Sequence, residues 1–233
     1  MPERNSFKVG IVDFGLGNLF SIMNACSCVG IDSVITSSGK ELIKTDIVIL
    51  PGVGAFGDAM SALKRRDLIS PIYDIVASGK PLIGICLGLQ LLFSESDEFG
   101  HHEGLNVIQG QVVRFQNPKS PEGSLKVPQV CWNRIYYPQE AGTTAGELGE
   151  GFHRRDHMLM DGVENGSYMY FVHSYIIIPV EHEVILTNST YGSIEFCSSI
   201  RKDAVYGFQF HPERSGNQGL RIYRNLLKLI QQA

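Results

Sequence analysis

Two short motifs carry side chains able to do covalent chemistry. A cysteine lies between an apolar run and a helix-like run, in Gly84-Ile85-Cys86-Leu87-Gly88, and a His-Pro-Glu follows a second apolar run, at His211-Pro212-Glu213. G-x-C-x-G at a strand-to-helix junction matches the sharp turn that holds a nucleophile exposed above a sheet, with Cys in place of Ser. The glycines admit a cramped backbone, and the N-terminus of the following helix favours thiolate over thiol. His211 can supply the base that such a cysteine needs. Glu213, two residues on, falls on the same side of an extended chain and can orient the imidazole. A cysteine after a strand is most often core packing. Joined to a strand-terminal His-Pro-Glu, Cys86 is expected to form a triad with His211 and Glu213.

Such a triad needs strands that end where the motifs begin. Pro81–Ile85 is the apolar run before the cysteine, and Leu89–Phe93 after it reads as helix. Upstream, Lys8–Val12, Val34–Thr36 and Ile47–Leu50 read as strands. Asn18 can cap a helix ending near Gly30, and helical stretches run from about Asp58 to Arg66 and from about Ile69 to Ser78. This alternation predicts a single α/β domain over 1–233, with a central, mostly parallel sheet and helices on both faces. The second half adds β-rich segments: Val112–Phe115, Tyr168–Val172, Glu183–Leu186 and Ser193–Phe196, with a closing amphipathic helix from Gly216 to Gln232. Gly142 to Asp161 is Gly-rich and charged, and reads as a surface insertion or lid.

The strand Ile47–Leu50 runs into Pro51-Gly52-Val53-Gly54. A glycine-rich turn at a strand C-terminus can aim the backbone N–H of Val53 at a developing oxyanion, beside the N–H of Leu87. The turn holds no lysine, so it is not a Walker-type phosphate loop.

Composition narrows the remaining classes. The 233 residues are 43% hydrophobic and carry a net charge of −4, which suits one large domain and leaves no electrostatic footprint for nucleic acid. No apolar run is long enough to span a membrane, and the N-terminus lacks a signal peptide's apolar core. With five cysteines, an odd number, and no secretion signal, a reducing cytoplasm is expected. Cys26 and Cys28 do not share a helix face and read as packing thiols. His153, Asp156 and His157 lie in an exposed charged loop with no second cluster to complete a site, so neither metal nor cofactor is expected.

The motifs P-G-V-G at 51–54, G-I-C-L-G-L-Q at 84–90, Y-F-V-H-S-Y at 170–175 and G-F-Q-F-H-P-E at 207–213 together resemble the class I glutamine amidotransferases. Within that family, D-F-G-L-G-N at 13–18 and Val127-Pro128…Trp132-Asn133 are similar to the glutaminase subunits that serve imidazole glycerol phosphate synthase in histidine biosynthesis. The resemblance implies a flavodoxin-like single-domain fold. It also implies hydrolysis of glutamine through a γ-glutamyl thioester, and delivery of ammonia to a separate synthase (cyclase) subunit in a heterodimer. Carried over by position, Cys86 is the nucleophile, His211 the base and Glu213 the orienting carboxylate. Val53 and Leu87 supply the oxyanion N–H groups, and Gly52, Gln90 and Glu98 hold the substrate glutamine. Trp132, Tyr170 and His173 match positions near the subunit interface. Read without the resemblance, Glu98 belongs to a solvated acidic run, and Tyr170 and His173 are a strand aromatic and a core histidine.

Two departures stand out. The family usually has P-H-M-G-W-N where this chain has Pro128-Gln129-Val130-Cys131-Trp132-Asn133, and the 142–161 insertion is longer than usual. Both fit a paralogous glutaminase feeding the amidation of a surface-polysaccharide sugar as well as they fit simple drift. A stand-alone cysteine hydrolase would need no partner, but leaves the Trp132 segment and the Y-F-V-H-S-Y strand without a purpose. A catalytically silent partner-binding subunit is disfavoured by the intact Cys86, His211 and Glu213.

Overall fold

The computed structural model describes residues 7–138 and 158–230. Five strands pair in parallel through the middle of the molecule, in spatial order Asp32–Thr36, Lys8–Val12, Ile47–Leu50, Leu82–Ile85 and Val205–Phe208. The inner strands Ile47–Leu50, Leu82–Ile85 and Val205–Phe208 hold no charged residue and are buried throughout because both faces are covered, whereas the edge strand Asp32–Thr36 is more polar and more open. Successive residues point to opposite sides, so Ile47, Ile49, Ile83, Ile85, Tyr206 and Phe208 join one core cluster, with the helices Leu19–Cys28 and Gly216–Ile230. Val48, Leu50, Leu82 and Val205 join the other, with the helices Phe56–Arg65 and Ile69–Ala77. Asn18 caps the first helix, its side chain accepting from the Ser21 N–H.

Beyond Val205–Phe208 the sheet turns antiparallel, through Ile194–Lys202, Tyr175–Pro179 and Gly110–Arg114. Ile185–Tyr191 pairs with Ile194–Lys202, and the short strands Glu95–Ser96 and His102–Glu103 follow Gly110–Arg114, which brings the sheet to 11 strands. A separate ribbon pairs Gln129–Arg134 with Tyr168–His173 in antiparallel register, Trp132 opposite Tyr170 and Gln129 opposite His173.

Several boundaries differ from expectation. The helix placed at Asp58 begins at Phe56, directly after Ala55, which is still extended and holds the N-cap position. The segment expected as strand at Glu183 is a 3-10 turn, His182–Val184, and the strand starts at Ile185. Of the expected 142–161 insertion only 158–161 is described, and His153, Asp156 and His157 lie outside the described residues. There Met158–Met160 forms a 3-10 turn, with Leu159 and Met160 buried against the last helix. Among the described residues no helix is long and apolar enough to cross a membrane, and no cluster of His, Cys, Asp and Glu side chains is arranged to hold a metal ion.

Candidate active site

Cys86 sits where the strand Leu82–Ile85 breaks into the helix Leu87–Leu91, with φ 55° and ψ −112°. That is the left-handed half of backbone space, costly for a side chain with a Cβ, and it persists because the surroundings fix it. The Cys86 N–H donates to the Phe208 carbonyl at 2.7 Å, tying the turn to the neighbouring strand. The flanking glycines are required by close approach. A Cβ on Gly88 would lie 1.8 Å from the Leu50 carbonyl oxygen, and one on Gly84 would lie 2.7 Å from the Leu89 Cα. The helix after the cysteine has only five residues. So short a helix adds little field at its N-terminus, and the cation that can favour a thiolate is His211.

His211 and Glu213 come together by a route other than the expected one. The chain does not stay extended: Pro212–Arg214 forms a 3-10 turn that brings the carboxylate back under the ring. The Glu213 carboxylate accepts from His211 Nδ1 at 2.7 Å, with side chains 1% and 6% exposed. Burial opposes the charged imidazolium, but the facing Cys86 sulfur and the Glu213 carboxylate overcome it, and the His211 pKa is pushed up to about 10. His211 Nε2 has no full hydrogen bond of its own. Its attraction to the Cys86 sulfur is therefore an electrostatic approach, left open for a third party. Ser215 Oγ accepts from the Tyr170 N–H and donates to the His211 carbonyl, while the His211 N–H donates to the Tyr170 carbonyl at 2.9 Å.

The Cys86 sulfur opens onto a cavity of about 250 Å³, room for one free amino acid. Val53, Leu87, Gln90, Glu98, His173 and Tyr175 are among its walls. The Gly52–Gly54 turn crosses directly over the elbow: a Cβ on Gly52 would lie 3.0 Å from Leu87 Cβ and 3.1 Å from the Gly88 nitrogen. The backbone at Val53 and at Leu87 thus meets at one end of the cavity. Glu98 also lines the cavity, its Oε2 accepting from the Phe56 N–H at 2.6 Å, and burial raises its pKa. It is a fixed acceptor, not part of a solvated acidic face. Gln90 Nε2 donates to the Tyr175 carbonyl and to Gln209 Oε1, each at 3.1 Å, so only its Oε1 remains to face a ligand.

Trp132 and Tyr170 meet edge to face on the ribbon, ring centroids 6.0 Å apart, and Trp132 is 51% exposed. Arg214 and Arg134 lie over the Tyr170 and Tyr168 rings. His173 is placed differently: it is buried among Phe115, Phe171 and Phe196, and its Nδ1 lies 2.9 Å from the Tyr175 carbonyl. Burial lowers its pKa to about 4, so it is a neutral ring in the cavity wall. Gln209, fully buried, touches both Gln90 and the Cys86 sulfur and was not singled out from sequence. The signal was there: it is a polar residue between Phe208 and Phe210 in an otherwise apolar strand.

A five-stranded parallel core, with a cysteine at a strained strand-to-helix turn and a buried His–Glu pair beside it, defines an α/β protein. The chain belongs to the glutamine amidotransferase class-I family, whose model matches residues 10–229. It is 42% identical over 220 residues to the imidazole glycerol phosphate synthase subunit HisH of Sulfurimonas denitrificans, covering 94% of this chain and 97% of that one. It is 39% identical to the subunit of the same name from Aquifex aeolicus, over 92% and 93% of the two chains. Among solved structures the fold is similar to that of PurLQS from Thermotoga maritima, with TM-score 0.71 at 16% identity over 97% of this chain and 99% of that one.

Proposed function

We propose that this chain is a single glutamine amidotransferase domain acting as the glutaminase subunit of imidazole glycerol phosphate synthase in histidine biosynthesis. In this reading it hydrolyses glutamine to glutamate and ammonia and passes the ammonia to a cyclase subunit. The observation that carries the reading is the cavity shared by Cys86 and the fixed acceptor Glu98, with the His211–Glu213 pair beside the sulfur. The relatives named above favour the histidine pathway over a sugar-modifying paralog. The exposed Trp132–Tyr170 ribbon beside the cavity favours a partnered enzyme over a stand-alone hydrolase. Five free cysteines fit a reducing cytoplasm.

The mechanism follows from the placement of each group. Glu98 and Gln90 Oε1 offer acceptors to the α-ammonium of glutamine and set the side-chain amide toward Cys86. The thiolate attacks the δ-carbon, and the amide oxygen becomes an oxyanion that the Val53 and Leu87 N–H groups stabilise. His211, as imidazolium, gives its Nε2 proton to the leaving nitrogen, so the C–N bond breaks and ammonia departs. Neutral His211 then takes a proton from water, which attacks the thioester carbonyl. Glutamate leaves and the Cys86–His211 pair is restored. Glu213 holds the ring so that Nε2 faces the sulfur throughout.

Gly54, at φ 107°, flanks a peptide that can turn at low cost, and only one orientation aims the Val53 N–H at the oxyanion. In this reading a docked, acceptor-loaded synthase subunit favours that orientation. The test is glutamine turnover by the chain alone, then with the synthase subunit and its acceptor. Stimulation of at least about 10²–10³ is expected, the worth of one oxyanion donor. Full activity of the isolated chain, unchanged by any partner, would overturn the coupled reading.

A further inference from the structure

The hydrogen bonds behind the Cys86 sulfur have a fixed direction. A backbone carbonyl can only accept, so the atom of Gln90 that lies 3.1 Å from the Tyr175 oxygen is its amide nitrogen. That same nitrogen lies 3.1 Å from the Gln209 side chain. A nitrogen that only donates must face an oxygen, which sets Gln209 Oε1 toward Gln90. The other terminal atom of Gln209, its amide nitrogen, is thereby turned to the Cys86 sulfur at 3.8 Å. Neither glutamine can flip without setting two like groups against each other. Gln209 is fully buried, and its backbone N–H is tied to the Ser198 carbonyl at 2.9 Å.

On the opposite side the sulfur lies 3.8 Å from the Val172 carbonyl. That oxygen can receive the S–H of a thiol and gives nothing to a thiolate. The two contacts therefore favour different protonation states of one atom.

We propose that Gln209 is a further catalytic residue, whose side-chain N–H donates to the Cys86 thiolate and holds it in line with the cavity. The proposal rests on the reading of Cys86 as nucleophile. When Cys86 passes its proton to His211 Nε2, the sulfur gives up the Val172 carbonyl and keeps the Gln209 N–H. After acylation the sulfur is neutral and the same N–H is released, so the donor favours the attacking and the departing sulfur alike. Gln90 is then a bifunctional residue: its oxygen faces the ligand, while its nitrogen fixes the donor behind the nucleophile.

The experiment follows alkylation of the Cys86 peptide by iodoacetamide across pH 5–10, in the whole chain, with mass mapping of the labelled thiol. Gln209→Met keeps length and removes the donor. Gln209→Glu keeps shape and sets a carboxylate against the sulfur. Both profiles are expected to move to higher pH, Glu more than Met, with the rate at neutral pH down by about tenfold or more for Met, as for loss of one charge-assisted bond. In the complex with the synthase subunit, kcat for glutamine should fall and KM hold. Circular dichroism and the melting temperature separate this from misfolding, and the near-isosteric Glu variant keeps the test available if Met does not fold. A folded Gln209→Glu chain with an unmoved profile would overturn the proposal. If Cys86 were labelled no faster than the exposed Cys28, the nucleophile reading itself would fail, a distinguishable result.

Discussion

The parallel half of the sheet and the antiparallel ribbon are built on opposite plans. In the parallel half every residue of Ile47–Leu50 and Leu82–Ile85 is buried, and helices cover both faces. In the ribbon burial alternates: Met169, Phe171 and His173 point inward, while Val130, Trp132 and Tyr168 lie open to solvent. The first plan makes a rigid platform, able to hold Cys86 at a strained φ. The second leaves an aromatic face without cover, within one strand of the sulfur. The difference teaches where each function belongs in the proposed reading: bond making on the half with no freedom, communication on the half with a free face.

The hardest test of that division is Cys86→Ala. Glutamine turnover should fall by several orders of magnitude, while melting temperature and binding of the synthase subunit hold. His211→Ala should be nearly as damaging. Residual turnover, cleared of contaminating enzyme, would move the chemistry off the parallel half.

Glu213→Gln comes next, with a loss on the order of 10²–10⁴ in kcat, since hydrogen-bonding shape is kept and charge is lost. It has a stability signature as well. The folded His211 pKa is raised to about 10, above the ordinary 6.5, so its stabilisation is complete below 6.5 and fades as pH rises through 10. In Glu213→Gln that alkaline decline should shrink. Melting curves from pH 6 to 10 read it directly, and an unchanged slope would refute the pairing.

His173 shifts the other way. Its folded pKa is about 4, so the unfolded chain takes up a proton first as pH falls below 6.5. Stability should drop between pH 6.5 and 4, by on the order of 3 kcal/mol at the acid end. His173→Phe should flatten that limb in urea melts, at the cost of the bond to the Tyr175 carbonyl. A limb left as steep would place the acid sensitivity elsewhere.

The smallest expected effect tests the ribbon. Trp132→Ala should weaken binding of the synthase subunit by about 2 kcal/mol, the scale of an aromatic anchor, and leave Cys86 alkylation in the free chain unchanged. Unaltered affinity by titration calorimetry would remove the ribbon from the interface.

What the sequence made legible was local. The elbow, the glycine-rich turn and the βα alternation rest on spacing within a few residues, and the first-half strands and helices stand within two residues of where apolar periodicity put them, while the strands expected to end at Leu186 and Phe196 run on to Tyr191 and Lys202. Glu213 was found for the wrong reason, since proline at 212 bends the chain into a turn that extended geometry does not describe. Glu183 read as strand from its apolar neighbours, but a 3-10 turn intervenes. The burial of His173 and the place of Gln209 depend on which strands meet: Phe115 comes from a distant strand to cover His173, and Gln209 meets Gln90 and Cys86 across more than a hundred positions. No window along the chain contains them.

The strand Val205–Phe208 lies between Leu82–Ile85 and Ile194–Lys202, at the centre of the sheet, yet it comes last in chain order among the described strands. Until it emerges, the two strands that flank it present open edges, and the elbow lacks the carbonyl that ties Cys86. Gln209, His211 and Glu213 arrive in the same stretch of chain. In the proposed reading a nascent polypeptide therefore holds no working thiol: the strand that closes the sheet also delivers the base, so completion of the fold and assembly of the Cys86–His211 pair are one event. A chain cut after Ala204 should accordingly be insoluble, and a soluble one labelled at Cys86 at the full rate would contradict this order.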